Sequence, residues 1–252
     1  SSYIQALLAD VGIGVLGGLS VYVILAVGQL SLGNAAFTAI GAYVASMLTV
    51  WSGWPLALAL AAGSLASGFV GLLIGFPALR LRGIFYSIAT VALTIIIETF
   101  IINWKLVGGA AGIQLLRPPV TPPFTSYIQM MFVFGMVMVV IAIAVARYIE
   151  RGWIGRGLRA IRDDELAAEC SGVPTLRLKL IACAISGALM CAAGAPNPMY
   201  FQFAIPSAAF DLNYSVAPLA MSLIGGTAHW LGPVLGALLL SITQQVLTVT
   251  IS

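Results

Sequence analysis

Long apolar runs alternate with short polar breaks along the whole chain. The first run covers residues 3–27 and ends in Gly28-Gln29-Leu30-Ser31-Leu32-Gly33-Asn34. A second, 35–50, closes on Trp51-Ser52-Gly53-Trp54-Pro55, where the two tryptophans suit an interfacial aromatic belt. The third, 55–79, stops at Arg80 and Arg82, and the fourth is Ile84–Trp104. A Gly- and Pro-rich connection over 105–125 is too polar and broken to span a bilayer. The fifth run is 126–148, the polar segment 147–179 follows, and the sixth run is 180–200. A loop punctuated by Pro196, Pro198 and Pro206 leads to a last apolar region, 214–250. That region is interrupted by Gly225-Gly226-Thr227-Ala228-His229-Trp230-Leu231-Gly232-Pro233, so it reads as two helices or one re-entrant pair. A spanning helix needs about 20 mostly apolar residues. The pattern therefore predicts an all-α, polytopic transmembrane helical bundle of about seven to eight spans, broken or re-entrant helices included. It forms a single domain over residues 1–252 with a cytoplasmic loop at about 149–179.

Composition sharpens this picture. Of the 252 residues, 61% are hydrophobic and 8% charged, against about 25% charged in an ordinary soluble domain. No charge occurs in the 69 residues between Asp10 and Arg80, and beyond Leu180 the one Asp, Glu, Lys or Arg is Asp211. Such stretches cannot provide a soluble surface, which excludes a water-soluble enzyme, a nucleic-acid-binding module and a disordered chain. The segment 147–179 holds 12 of the 19 charged residues. Placing it in the cytoplasm puts nine Lys/Arg inside and two, Lys105 and Arg117, outside, as the positive-inside rule requires. The side of the N-terminus depends on whether Gln29–Asn34 crosses or turns back. The sequence opens at Ser1 almost directly into apolar residues, so no cleavable leader is expected. Cys170, Cys183 and Cys191 show neither disulfide nor metal spacing and read as small packing residues. Gly63, Ser67, Gly71 and Gly75, four residues apart, line one face of the third helix and predict a close helix–helix contact; Gly232 and Gly236 repeat the device.

Three regions carry candidate chemistry. In the polar segment, Arg159 and Arg162 precede Asp163, Asp164 and Glu165, while Ala160, Ile161, Leu166 and Ala167 supply an apolar stripe at helical spacing. Asp163 or Asp164 can cap a helix that Gly172 and Pro174 stop. The spacing predicts a short amphipathic helix, read either as a solvated loop helix or as a docking helix for a cytoplasmic partner; 30 residues with caps exceed what a connection requires. The second and third regions are the breaks, 28–34 and 225–233. Broken backbone is tolerated in a membrane where it faces protein or a water-filled path, and paired breaks in two halves point to a translocation path. Gln29, Ser31, Asn34, Thr227 and His229 are the polar residues there. Gln29 and Asn34 either cap helices or line the path; His229 is a packed or interfacial residue or a relay. Glu98, inside the fourth helix, either faces the path or reaches the interface.

The loop resembles the coupling segment of ABC-importer permeases, in particular the M-type permease of branched-chain amino-acid importers. The family pattern of Ala-Ala, three residues, Gly stands here as Ala167-Ala168 and Gly172, with Leu166 in place of the preceding Glu and Glu165 beside it. Other segments are similar in order: GQLSLGNAAFTAIGAY (28–43), LRLRGIFYSIAT (79–90), GGAAGI (108–113), GRGLRAIRDDELAAE (155–169) and GGTAHWLGPVLGA (225–237). The resemblance implies a passive subunit of a bacterial inner-membrane importer. It would pair with a second homologous permease and two cytoplasmic ATP-binding subunits, and an external binding protein would deliver a small polar solute. It also implies coupling through Arg159, Ala160, Arg162, Asp163, Asp164, Glu165, Ala167, Ala168 and Gly172. Gln29, Ser31, Asn34 and Glu98 are the candidate path residues. The family usually has His at Asn34 and often an acid near Val216; these departures leave the solute open between branched-chain amino acids and other small molecules.

The residues agree with a subunit that is not itself an enzyme. The lysines, Lys105 and Lys179, lie in no phosphate loop, so ATP is expected on partner subunits and no cofactor or metal on this chain. No catalytic constellation is apparent. The alternatives are a facilitative channel or a secondary transporter for a small neutral solute such as urea or an amide.

Overall fold

The computed structural model describes residues 2–79, 81, 83–104, 107–114, 127–194 and 203–251. Arg80, Arg82, Lys105 and Arg117, which the charge asymmetry used, lie outside them, as do Pro196 and Pro198. The helices are α1 (Ser2–Leu25), α2 (Asn34–Ser52), α3 (Leu56–Ala78), α4 (Ile84–Asn103), α5 (Tyr127–Arg151), α6 (Trp153–Asp163), α7 (Glu165–Cys170), α8 (Thr175–Gly194), the single turn α9 (Pro206–Ala209), α10 (Asn213–Gly225) and α11 (Leu231–Ile251). Six of them, α1 to α5 and α8, are long and apolar enough to cross a membrane. At 13 residues α10 is too short to do so alone; it forms a pair with α11, so the last apolar region is a half-helix followed by a full one.

The core lies around α1 and α8. Val15, Leu16, Leu19, Tyr22 and Val23 of α1 pack with Leu178, Ala182 and Leu189 of α8, Ala142 and Ala146 of α5, and Met221 and Ala237 of α10 and α11. By contrast α4 and α5 are mostly exposed, showing Ile84, Phe85, Ile88, Ile95, Ile96 and Phe100 on α4 alone. An outward apolar belt around an inner core is the arrangement a lipid-facing bundle requires.

Without a hydrophobic driving force between helices in lipid, contact depends on small residues and polar staples. The stripe on α3 supplies both. A Cβ on Gly71 would stand 2.9 Å from the Cys183 carbonyl oxygen of α8, and one on Gly63 would stand 2.8 Å from the Gly41 carbonyl of α2. Between those glycines, the Ser67 hydroxyl contacts the carbonyls of Phe37 (3.0 Å) and Gly187 (2.9 Å), tying α3 to both neighbours. Ser20 of α1 donates to the Ser186 carbonyl of α8 at 2.8 Å, and Ser222 of α10 donates to the Gly18 carbonyl of α1 at 2.8 Å. Gly232 and Gly236 likewise face the backbone of α10 around Met221 and Gly225.

The two ends of the bundle differ. One carries α6 and α7. The other carries a short antiparallel pair, β1 (Ile113–Gln114) with β2 (Phe203–Ala204), in the register Ile113 opposite Ala204. Tyr43 of α2 donates its hydroxyl to the Ala204 carbonyl at 3.2 Å. This pair was not expected from sequence, where residues 105–125 read as loop.

Candidate functional site

The polar segment folds as two helices, not the one expected. Asp164 has an extended backbone (φ −156°, ψ 110°), and its carboxylate accepts the Leu166 and Ala167 N–H groups at 2.9 and 3.1 Å. That cap starts α7 and at the same residue ends α6. The apolar stripe is corrected with it. Gly155, Leu158 and Ile161 of α6 and Ala168 of α7 are buried, while Ala160 is half-buried and Leu166 and Ala167 are exposed. Gly172, at φ +82°, stops α7, and the Val173 N–H reaches back to the Ala168 carbonyl at 3.0 Å. Arg159, Arg162, Asp163 and Asp164 are all exposed. Glu165 instead reaches Lys179 of α8 at 2.6 Å, and that lysine is only 3% exposed.

Both breaks run into this segment. The chain turns at Gly28, whose φ of +79° suits glycine, and a Cβ there would lie 3.4 Å from the Arg162 Cα. From that turn the chain returns alongside α4. Ser87 donates to the Leu30 carbonyl, and the Leu32 N–H donates to Thr90 Oγ1 at 3.2 Å. The segment 28–33 therefore turns back from the α6 face along α4. The second break meets the same arginine, since Arg162 Nη2 donates to Thr227 Oγ1 at 3.4 Å.

A carboxylate missed in sequence stands between them. Glu150, in the last turn of α5, accepts the Trp230 N–H (2.9 Å) and the Tyr22 hydroxyl (3.2 Å) on Oε2. Its Oε1 lies 3.5 Å from Arg159 Nη2 and 3.5 Å from His229 Nε2. The Glu150 side chain is 12% exposed, whereas His229 is 53% exposed and lies against the Trp230 ring. The available signal was weak: an acid at the junction of an apolar helix and a basic loop.

Farther in, the N-terminus of α2 meets that of α10, where the Ala35 N–H donates to Ser215 Oγ at 2.9 Å. Ten residues of α10 separate Ser215 from Gly225 at the α6 face, about 15 Å of helix, or half of a hydrocarbon core about 30 Å thick. Asn34 sits at this depth with 0% exposure, and neither its Oδ1 nor its Nδ2 has a hydrogen-bond partner. Its side chain is not a cap; the cap position of α2 is Gly33, which offers no side chain. Ser31 accepts the Gly33 N–H at 3.2 Å, and Gln29 is buried in the same turn. Glu98 does not join them. It is half-buried on α4, eight residues past Thr90 and so about 12 Å nearer the opposite end. Among the described residues no group of three His, Cys, Asp or Glu could hold a metal ion.

The arrangement can transmit displacement. A segment rich in exposed charge is keyed by Arg162 and Glu150 to two broken helices, and one of these leads to a buried amide at mid-depth.

Comparison with known proteins follows the same outline. The family model described as "Branched-chain amino acid transport system / permease component" matches residues 3–252. The high-affinity branched-chain amino acid transport system permease proteins LivM of Salmonella typhimurium and Escherichia coli are each 27% identical over 96% of this chain and 61% of their own length. A probable branched-chain amino acid transport permease protein LivM of Methanocaldococcus jannaschii is 27% identical over 77% of this chain and 56% of its own. The chain thus spans about three fifths of the length of these relatives. No solved structure matches.

Proposed function

The chain belongs to the permease components of branched-chain amino acid transport systems, and we propose that it is the translocation subunit of an ATP-driven importer in a bacterial inner membrane. It is a multi-pass membrane protein of a transport family. In the proposed assembly it pairs with a second permease, two ATP-binding subunits dock on α6 and α7, and an external binding protein presents the solute. The solute is a branched-chain or related small amino acid, in line with the names of the relatives. Nucleotide binding and hydrolysis belong to the partners.

One observation carries this reading: the charged helices are keyed into both helix breaks, through Arg162 to Gly28 and Thr227 and through Glu150 to Trp230. A docking segment placed there delivers partner movement directly to the irregular backbone. Arg159, Arg162, Asp163, Ala167 and Glu169 form its outward face. Asp164, Glu165, Ala160, Ala168 and Gly172 hold its shape. In the path, Gln29, Ser31 and Asn34 precede or open α2, and Asn34 offers an amide able both to donate to a carboxylate and to accept from an ammonium. Glu98 belongs to the far end of the route.

The test is purification in mild detergent with the neighbouring gene products co-expressed. Recovery of a complex containing an ATPase and a sister permease, with leucine uptake into liposomes that requires ATP and a binding protein, supports the reading. Uptake by this chain alone without nucleotide refutes it and favours a facilitative route.

A further inference from the structure

The importer reading places docking on α6 and α7 but leaves open which residue carries movement onward; the following rests on that reading. We infer that Glu150 is the positioning residue that keeps the docking helix in register with the break between α10 and α11. Its carboxylate reaches α1, α6 and the break through its two oxygens. Oε2 holds core groups, the Tyr22 hydroxyl of α1 and the Trp230 N–H of the break. Oε1 faces more exposed groups, the Arg159 guanidinium of α6 and the His229 ring beside Trp230. Three segments of the chain, α1, α6 and the break, thus converge on one side chain that is 12% exposed.

Its place in the chain matters as much as its partners. Two residues later Gly152 begins the bend into α6, and a Cβ on Gly155 would collide with the Ile149 carbonyl, so the corner is closely packed. A push on α6 pivots next to Glu150. The second tie of the docking segment, Glu165 to Lys179, leads to α8 instead. The two acids therefore pass one displacement to two different bodies, α8 and the α10–α11 break. Removing Glu150 leaves the transfer to α8 intact and the break tied to α6 through the longer Arg162–Thr227 contact of 3.4 Å, so that the break lags behind. ATP is then consumed without a matching passage of solute.

Hydrogen bonds to a charged group are worth enough to shift a local equilibrium about tenfold. In the assembled importer in proteoliposomes, with radiolabelled leucine and the loaded binding protein, Glu150→Ala should raise the ATP hydrolysed per leucine taken up by about tenfold. Glu150→Gln keeps the acceptor for Trp230 and Tyr22 but turns an amide NH2 toward the Arg159 guanidinium, so it should hold the break in place and still show a raised ratio of ATP to leucine. If instead both rates fall together per assembled complex, so that the ratio is unaltered, Glu150 is structural only. A second measurement needs no solute. Spin labels on Arg156→Cys and Ala228→Cys, in a Cys170→Ser background, report the distance between α6 and the break. A narrow distribution that broadens in Glu150→Ala supports the assignment; one unaffected by that substitution overturns it. Nucleotide-free uptake by the chain alone would remove the importer reading, while the distance measurement would still judge Glu150.

Discussion

Removing the Glu165 carboxylate is the sharpest test of how α7 is fastened to the bundle. Glu165 Oε1 and Lys179 Nζ are 2.6 Å apart; the lysine is 3% exposed and the glutamate 24%. Breaking a buried pair by deleting one partner costs about 3–5 kcal/mol, because the other charge stays desolvated. The partial exposure of Glu165 argues for the lower end, about 3 kcal/mol. In a chain of this length 1 kcal/mol moves Tm by about 2–4 °C, so Glu165→Ala should lower Tm by about 6–12 °C. Replacing both, Glu165→Ala with Lys179→Met, removes the stranded ammonium and should return most of that loss. The assay is thermal unfolding in detergent with a thiol-reactive dye. Cys183 and Cys191 are buried and react on unfolding, and the exposed Cys170 is first changed to Ser. A single mutant within about 1 °C of the parent, or a double mutant no better than the single, would refute the reasoning.

The seam between α3 and α8 predicts a contrast: Gly71→Leu should prevent recovery of folded protein in size-exclusion chromatography. Gly135→Ala, with nothing within 4 Å of the new Cβ, should be neutral or raise stability by up to about 1 kcal/mol. Ser67→Ala deletes a staple to two carbonyls and should cost about 0.6–1.7 kcal/mol in the same thermal assay. Asn34→Ala removes two buried polar atoms that have no partner, so Tm should hold or rise while the apparent affinity or selectivity for leucine changes in the assembled complex; unaltered transport kinetics would take Asn34 out of the path. Arg159→Ala with Asp163→Ala should lower uptake and solute-stimulated ATP hydrolysis with normal membrane insertion, measured in vesicles; unchanged uptake would remove these residues from the docking face.

The spans were readable because lipid imposes a length and a composition on each of them. The stripe on α3 was readable for a similar reason, since four-residue spacing puts Gly63, Ser67, Gly71 and Gly75 on one face whatever they touch. The breaks at 28–34 and 225–233 announced themselves by losing hydrophobicity. What they touch did not, because Gly28 and Thr227 meet Arg162 only after three separate stretches of chain are brought together. The cap at Asp164 and the stop at Gly172 were legible, and they bound α7. The separate helix before the cap was not, because the apolar spacing continues through Asp163 and Asp164 and merges α6 with α7. Glu150 and Lys179 looked like two charges among twelve; their importance is a matter of burial, which spacing does not report. The β1–β2 pair, two residues a side, is shorter than any alternating pattern could reveal.

That small clasp has a consequence for α4. This helix touches the bundle lightly, along α2 and α3, yet it is anchored at both ends: by Ser87 and Thr90 to the returning backbone near the docking face, and through the turn after Asn103 to the paired strands at the far face. It runs like a rod between the two faces of the bundle, rooted near its start by the buried Tyr86, whose hydroxyl meets Cys183 Sγ of α8 at 3.5 Å, with much of its surface turned outward. Displacement near Gly28 and α6 can thus be carried to the strand pair along a single stiff lever, without rearranging the tightly interlocked middle.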